Sequence, residues 1–172
     1  MTMAGQDTPC PIQGRDKLLP KRVSLFLNIN NGKYSLNQSL VLDVGIRNDG
    51  RDDVYIYKWL VWGYADSLVL TLRDQSGEEI EPLLHDDTLL PPPPRKDDAS
   101  MFVQLMQDDF YGTRRSLPIT DLVKTPGKYT LQIQYRGPLS CKYVDPKLRE
   151  LPALWRENAT ISSNVVSFEI TP

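Results

Sequence analysis

Few residues in this chain have the types and spacing that catalysis requires. His85 is the single histidine among 172 residues, and Asp86 and Asp87 follow it directly. A zinc peptidase helix needs two histidines one turn apart with a glutamate between them, so that chemistry is not expected. A Ser-His-Asp arrangement would have to use His85, but the sequence has no G-x-S-x-G elbow, and Cys141 lacks a context that favours a thiolate. We therefore predict that the chain is not an enzyme and binds no cofactor.

Adjacent aspartates raise the alternative of a calcium site. Calcium takes about six to eight oxygen ligands, and the loops at one end of a β-sandwich can supply them. However, no D-x-D-x-D-G pattern occurs, and paired aspartates are also common in turns and caps. We favour turns and caps over a metal site for all four pairs, which are Asp52/Asp53, Asp86/Asp87, Asp97/Asp98 and Asp108/Asp109.

The stretch "LLHDDTLLPPPPRKDD", residues 83–98, has two interpretations. A polyproline II segment is a stiff ridge that binds a partner with little ordering cost, so it can be a docking motif. Proline also lacks an N–H group, so four in succession prevent an extended loop from pairing with a sheet edge. We favour a stiff connection that lies across apolar surface, with docking as the alternative. The candidate contact residues are Pro91, Pro92, Pro93, Pro94 and Arg95.

An aromatic run gives a second candidate surface. Strand alternation places Tyr55, Tyr57 and Trp59 on one face of "VYIYKWLVW". If that face is covered, for which Trp155 is the natural cover, the rings belong to the core, and this is the interpretation we favour. If it is open, the three rings form a flat platform suited to a carbohydrate or a peptide.

Composition limits the partners. The formal net charge is −2, and the 20 basic and 22 acidic side chains are spread along the chain. Nucleic-acid binding usually needs a concentrated basic face, which is not visible here. No apolar run approaches the roughly 20 residues of a membrane span. We expect a protein partner, no nucleic acid and no membrane span, and the oligomeric state stays open.

The two cysteines leave the compartment undecided. Cys10 and Cys141 could form a disulfide in an oxidising compartment, or could be two free thiols. The N-terminus has no hydrophobic signal core, so the chain is either cytoplasmic or a mature secreted protein. Of these we favour a secreted or periplasmic protein.

Period-two alternation dominates the sequence and predicts the fold. Seven segments have the pattern of strands. Six of them alternate apolar and polar residues, whereas "VYIYKWLVW" is apolar on nearly both faces and is predicted to lie centrally in its sheet. "DPKLREL", residues 145–151, is the best helix candidate. We predict an all-β, immunoglobulin-like antiparallel sandwich of about seven to nine strands over residues 21–172, after a flexible tail at 1–20. Two long connections, 83–109 and 136–164, interrupt it. The seven segments are "VSLFLNI", "SLVLDVGIRNDG", "VYIYKWLVW", "SLVLTLRDQSG", "MFVQLM", "KYTLQIQYR" and "NVVSFEI".

Tyr129 in "TPGKYTLQIQY" occupies the position of a tyrosine corner. In immunoglobulin-like sandwiches, a tyrosine at the start of the penultimate strand folds its hydroxyl back onto neighbouring backbone. Leu131 stands where antibody domains have a cysteine, so this is not an antibody domain.

Four segments together carry a family resemblance. "YSLNQSLVLDVGIRNDG", "DFYGTRRSLPITDL", "PGKYTLQIQYR" and "SNVVSFEIT" resemble a bacterial immunoglobulin-like module. This module is similar to the N-terminal β domains of deuterolysin-type metallopeptidases and, more loosely, to intracellular proteinase inhibitor domains. The likeness covers about residues 23–48 and 110–171 and implies a fold rather than an activity.

Three functions remain after this reading. The first is a non-enzymatic binding or accessory module that engages another protein through loops or a sheet edge. The second is a protease inhibitor that presents the 83–98 loop, by analogy with inhibitor domains. The third is a carbohydrate-binding module that uses the aromatic strand at 55–62.

Overall fold

The described part of the chain forms a β-sandwich with eleven strands and one short helix. The computed structural model describes residues 23–58, 60, 67–83, 102–137 and 160–172. Within these ranges no helix is long and apolar enough to cross a membrane. The strands are β1 (Val23–Ile29), β2 (Lys33–Ser35), β3 (Ser39–Asn48), β4 (Val54–Tyr57), β5 (Leu68–Asp74), β6 (Glu79–Ile80), β7 (Phe102–Leu105), β8 (Phe110–Pro118), β9 (Gly127–Arg136), β10 (Thr160–Ser162) and β11 (Val166–Thr171), and the helix is α1 (Ile119–Leu122).

Two sheets make up the body of the fold. One has the strand order β1-β3-β8, and the other has the order β2-β11-β9-β5-β6, with β10 also paired to β9. All neighbours are antiparallel except β2 and β11, which are parallel. β4 and β7 form a two-stranded ladder that continues the β3–β8 pairing beyond a break at residues 49–53 and 106–109.

The core consists of the apolar faces that the alternation predicts. In β3, Leu40, Leu42 and Ile46 are fully buried, and in β9 Leu131 and Ile133 are fully buried. Burying one such side chain stabilises a fold by about 1.5–3 kcal/mol relative to leaving it exposed. Because these residues recur at every second position, burying one face forces the intervening polar residues outward, and the register of both sheets is fixed.

The predicted fold class is confirmed. The structure is an all-β immunoglobulin-like sandwich, antiparallel apart from the β2–β11 pair, and a turn at Gln75-Ser76-Gly77 follows β5, with Gly77 in the left-handed region at φ 86°. β7 lies within the first predicted long connection and β10 within the second. The predicted tail at 1–20 and the predicted helix at 145–151 lie outside the described residues.

Several elements were not predicted. β8 was not predicted because "FYGTRRSLP" lacks an apolar alternation. This sequence fits a strand whose described pairing is to β3 alone. α1 was not predicted because four residues are too few to show a helical period, although Ile119 and Leu122 are buried. The short strands β2, β6 and β10 were missed for the same reason of length.

The central position predicted for the aromatic strand stays a prediction, because part of that segment lies outside the described residues. Within the described ranges, β4 pairs with β7. Val54 and Ile56 are buried, and the Tyr57 ring packs edge-on against Phe102, with centroids 6.3 Å apart. Contact with the neighbouring strand therefore contributes to the burial of the second face of β4.

Candidate functional site

A groove lies between the sheet edge at β6 and the helix α1, and we call it the β6–α1 groove. Its volume is about 340 Å³, near the lower end of the range of about 300–1,000 Å³ that is common for ligand sites. Its apolar lining is Ile80, Leu83, Leu122, Val123 and Tyr129, and its polar lining is Glu81, Thr120, Asp121, Lys124 and Thr125.

Backbone hydrogen bonds hold the α1 wall. The N–H of Ile119 donates to the carbonyl of Gln38 at 2.9 Å, and the N–H of Val123 donates to the carbonyl of Ile119 at 2.8 Å. Ile119, Leu122 and Val123 are buried, so these three side chains anchor the short segment in the core. The polar residues between them, including Asp121, are thereby kept at the surface.

A tyrosine corner underlies the groove, and this prediction is confirmed. The Tyr129 hydroxyl donates to the backbone carbonyl of Thr125 at 2.8 Å and lies 3.1 Å from the Thr125 hydroxyl oxygen. The ring is buried and stacks on Phe168, with centroids 5.7 Å apart. The bond closes residues 125–129 into a rigid turn, which fixes one side of the groove.

The opposite wall is the end of β6 and the residues after it. Ile80 pairs with Leu72 of β5, and Glu79 forms an exposed ion pair with Arg73 at 2.9 Å. The chain then continues through Glu81 to Leu83, which is 56% exposed. A leucine this exposed, beside a groove with an apolar lining, marks a surface suited to contact with another molecule.

The groove carries an excess of negative charge. Glu81 and Asp121 contribute two carboxylates and Lys124 one ammonium group. In the described part of the chain, none of these three side chains forms a hydrogen bond or an ion pair with another described residue. The charges are therefore available to a molecule that enters the groove.

The predicted aromatic platform is not formed by Tyr57. Tyr57 is 2% exposed, because its ring packs on Phe102 and its backbone N–H donates to the Tyr135 hydroxyl at 3.3 Å. Burial raises the pKa of the Tyr57 hydroxyl. Tyr55 is half-buried. A platform of three open rings is thus excluded, since the middle ring of the three offers no face to a ligand.

The other predicted site residues lie outside the described residues. Only Leu83 of the 83–98 loop is described, so the docking and inhibitor interpretations of that loop remain predictions. The residues concerned are Trp59, His85, Pro91, Pro92, Pro93, Pro94, Arg95, Trp155 and both Cys10 and Cys141.

Two of the aspartate pairs are described, and their carboxylates support loops. Asp109 accepts a hydrogen bond from the N–H of Met106 at 2.9 Å, beside Asp108 in the left-handed conformation at φ 64°. Asp53 accepts a hydrogen bond from the side chain of Gln104. Among the described residues, no three histidine, cysteine or acidic side chains form a group that could hold a metal ion.

The residues of the β6–α1 groove were not predicted as a site. Glu81, Asp121 and Lys124 come from two segments about 40 residues apart, and neither segment contains a motif. One indirect signal for the groove was available. The sequence predicts the tyrosine corner at Tyr129, and α1 leads directly into the turn that this corner closes. No periodicity shows that the residues after β6 lie against it.

No family model and no curated protein matches the chain. Among solved structures, a β-glucosidase from Erythrobacter marinus is 12% identical with a TM-score of 0.39, and the match covers 87% of this chain but 15% of the enzyme. A β-glucosidase from Listeria innocua in complex with glucose is 11% identical, with a TM-score of 0.39 and 16% of the enzyme covered.

A third similar structure is a CARDB domain from Pyrococcus furiosus in complex with di-metal ions. It is 11% identical, with a TM-score of 0.39 and 87% of each chain covered. All three TM-scores are below 0.5. The specific resemblance to deuterolysin-associated and inhibitor domains stays a prediction.

Proposed function

We propose that this chain is a non-enzymatic interaction module that binds an extended segment of another protein in the β6–α1 groove. The observation that supports this proposal is the combination of an apolar lining with the carboxylates of Glu81 and Asp121, which have no hydrogen-bond or ion-pair partner among the described residues. Apolar contacts supply affinity, and the carboxylates select the partner through charge.

Charge and shape together define the partner. Two carboxylates against the single ammonium group of Lys124 favour a cationic side chain, and the exposed Leu83 favours an apolar one. The partner segment therefore carries a lysine or arginine beside a leucine, isoleucine or valine. The walls are held by the sheet and the tyrosine corner, so little ordering of the site opposes binding.

The proposal is tested with a fluorescein-labelled heptapeptide of alternating leucine and lysine. Fluorescence anisotropy of the purified chain with this peptide should show saturable binding that weakens at high ionic strength. A peptide with glutamate in place of each lysine should bind much more weakly. Equal binding of both peptides would contradict the charge argument, and binding of neither would contradict the function itself.

Single substitutions test whether the peptide binds in the β6–α1 groove. Asp121→Asn and Glu81→Gln should each weaken the complex by up to about fivefold, since an exposed ion pair contributes about 0.2–1 kcal/mol. Leu83→Lys should abolish binding, because it places a cation where the apolar side chain contacts the peptide. Glu78→Gln is the matched control, since Glu78 is an exposed carboxylate outside the groove, and this change should leave affinity unaltered.

NMR distinguishes other occupants. Peptide-dependent shifts should map to residues 80–83 and 119–125. Contacts between the groove and residues 84–101 of the same chain, or groove shifts that depend on protein concentration alone, would assign the groove to the chain itself or to a second copy. Either result would overturn the proposal.

A further inference from the structure

Asn31 and Gly32 form an Asn-Gly pair in the turn between β1 and β2. Both residues are exposed, and a Cβ atom built on Gly32 would meet nothing within 4 Å. We propose that Asn31 is a site of spontaneous covalent modification, at which the side-chain amide is lost and aspartate and isoaspartate form. This inference is independent of the proposed function.

The reaction needs only the groups present and water. The main-chain nitrogen of Gly32 loses its proton to base and attacks Cγ of Asn31, which forms a new N–C bond as ammonia leaves. The resulting five-membered cyclic imide then takes up one water molecule. Opening at one carbonyl gives aspartate, and opening at the other gives isoaspartate. The net change is one water gained and one ammonia lost.

The structure leaves the two reacting groups free. Neither the Asn31 carboxamide nor the N–H of Gly32 forms a hydrogen bond with another described residue. Glycine offers no Cβ to obstruct the attack and has the widest choice of backbone conformation. Neither hydrogen bonding nor crowding therefore opposes ring closure at this position.

Asp49-Gly50 supplies an internal contrast, because an Asp-Gly pair can form the same imide with loss of water. There the N–H of Gly50 donates to the Asn48 side-chain oxygen at 3.0 Å, and Gly50 is buried. The attacking nitrogen is thus occupied and shielded. The fold protects Asp49-Gly50 and leaves Asn31-Gly32 reactive.

Other asparagines in the same region are less reactive for visible reasons. The Asn30 side-chain oxygen accepts a hydrogen bond from the Tyr34 hydroxyl at 2.8 Å, and that of Asn37 accepts one from the Ser35 hydroxyl at 2.6 Å. A residue with a side chain follows each of them, and its Cβ hinders the attack.

Isoaspartate at position 31 would disturb the pairing of the neighbouring sheet. The N–H of Asn31 donates to the Tyr34 hydroxyl at 3.0 Å, and the carbonyl of Gly32 accepts a hydrogen bond from the N–H of Glu169 at 2.9 Å. Isoaspartate lengthens the main chain between these two anchors by one methylene group, which strains these two bonds. The parallel β2–β11 pairing and the buried Tyr34 would loosen, whereas the aspartate product keeps the normal backbone.

Mass spectrometry of peptides from the full chain tests the proposal. The protein is incubated at mildly alkaline and at mildly acidic pH, and the gain of about 1 Da at each asparagine is followed over time. Asn31 should react faster than Asn37, and faster at the alkaline pH. Gly32→Ala should slow it by about tenfold, because the added Cβ obstructs the attack without straining the fold.

The same samples in urea provide the control. Isomerisation of Asp49 leaves the mass unchanged, so it is followed by chromatographic separation of the two isomeric peptides, and isoaspartate should form there in the unfolded chain and not in the folded one. A folded chain in which Asn31 reacts no faster than Asn37, or in which Gly32→Ala makes no difference, would overturn the proposal. So would an Asn31 that reacts in urea but stays intact in the folded protein.

Discussion

Two tyrosines on the same face of β9 use their hydroxyl groups in opposite ways. Tyr129 donates to a carbonyl four residues earlier in the chain. Tyr135 is fully buried and accepts from the N–H of Tyr57, 78 residues away. The first hydroxyl closes a local turn beside the groove, and the second joins β9 to β4. Identical side chains therefore stabilise local structure at one end of the sandwich and tertiary structure at the other.

The end of β3, where the β3–β8 ladder gives way to the β4–β7 ladder, is held by the side-chain hydrogen bonds of Asn48. Asn48 is fully buried, and its amide donates to the carbonyls of Asp52 and Leu105, both at 2.9 Å, while its oxygen accepts from Gly50. This side chain spans the break between the β3–β8 and β4–β7 ladders. Among the described residues no buried side-chain polar atom lacks a partner.

The contrast separates stability from recognition. Among the described residues, the Asn48 region satisfies its polar groups internally, whereas in the β6–α1 groove Glu81 and Leu83 are exposed and Asp121 is half-buried. Changes in the first region should therefore alter the free energy of unfolding, and changes in the groove should alter binding. Three substitutions test this division.

Asn48→Ala should have the largest effect. It removes three hydrogen bonds and leaves two carbonyls and one N–H without their partner, and each buried group so orphaned costs about 1–3 kcal/mol. We expect a loss of about 3 kcal/mol or more in the free energy of unfolding, measured by urea denaturation. Asn28→Ala, at an exposed position of β1, is the control and should change stability by less than about 0.5 kcal/mol. Equal effects would show that the ladder break does not depend on Asn48.

Tyr135→Phe should have an intermediate effect. It removes the acceptor for the N–H of Tyr57 but keeps the buried ring, so we expect a loss of about 1–3 kcal/mol at neutral pH. Thermal and urea unfolding measure this loss. No change in stability would mean that the 3.3 Å bond does not connect β9 to β4 energetically.

The same variant should alter the pH dependence of stability. Burial raises the pKa of the Tyr135 hydroxyl far above the value of about 10 in an unfolded chain. Below about pH 10 both states keep the proton, but above it the unfolded state loses the proton first, so the free energy of unfolding falls as pH rises. Tyr135→Phe should make this alkaline fall shallower. A residual slope should remain, because burial also raises the pKa values of Tyr34 and Tyr57.

Tyr129→Phe should have the smallest effect on stability. Its bond to Thr125 is local and only partly buried, so its loss should cost about 0.5–1.5 kcal/mol by urea denaturation. The groove wall would lose its anchor, so affinity for the leucine–lysine peptide should also fall. Tyr135→Phe should leave that affinity unchanged below its own unfolding transition. A larger stability loss for Tyr129→Phe than for Tyr135→Phe would reverse the comparison.

The correct parts of the sequence reading share a physical cause. The inward residues of β1, β3, β5, β9 and β11 were predicted because sheet geometry sends alternate side chains to opposite faces. The Tyr129 corner was predicted because its donor and acceptor lie within one turn. The contact of Tyr57 with Phe102 was not predicted, because it depends on a strand 45 residues away.

The candidate site could not be predicted from the sequence, because it also depends on contacts between distant segments. Its charged residues come from two segments with ordinary composition, and only folding brings the end of β6 next to α1. The predicted contact residues, in the proline stretch and the aromatic strand, have an unusual local composition. The residues that line the groove do not.

By itself, the sequence determined the all-β class, the core faces and the tyrosine corner, since period-two alternation and turn chemistry act over a few neighbouring residues. The tertiary structure alone decided the pairing of β4 with β7, the bonds of Asn48, the contact of Tyr135 with Tyr57 and the existence of the β6–α1 groove. These depend on which distant segments are brought together, and that choice is made by the whole core rather than by any one stretch of chain.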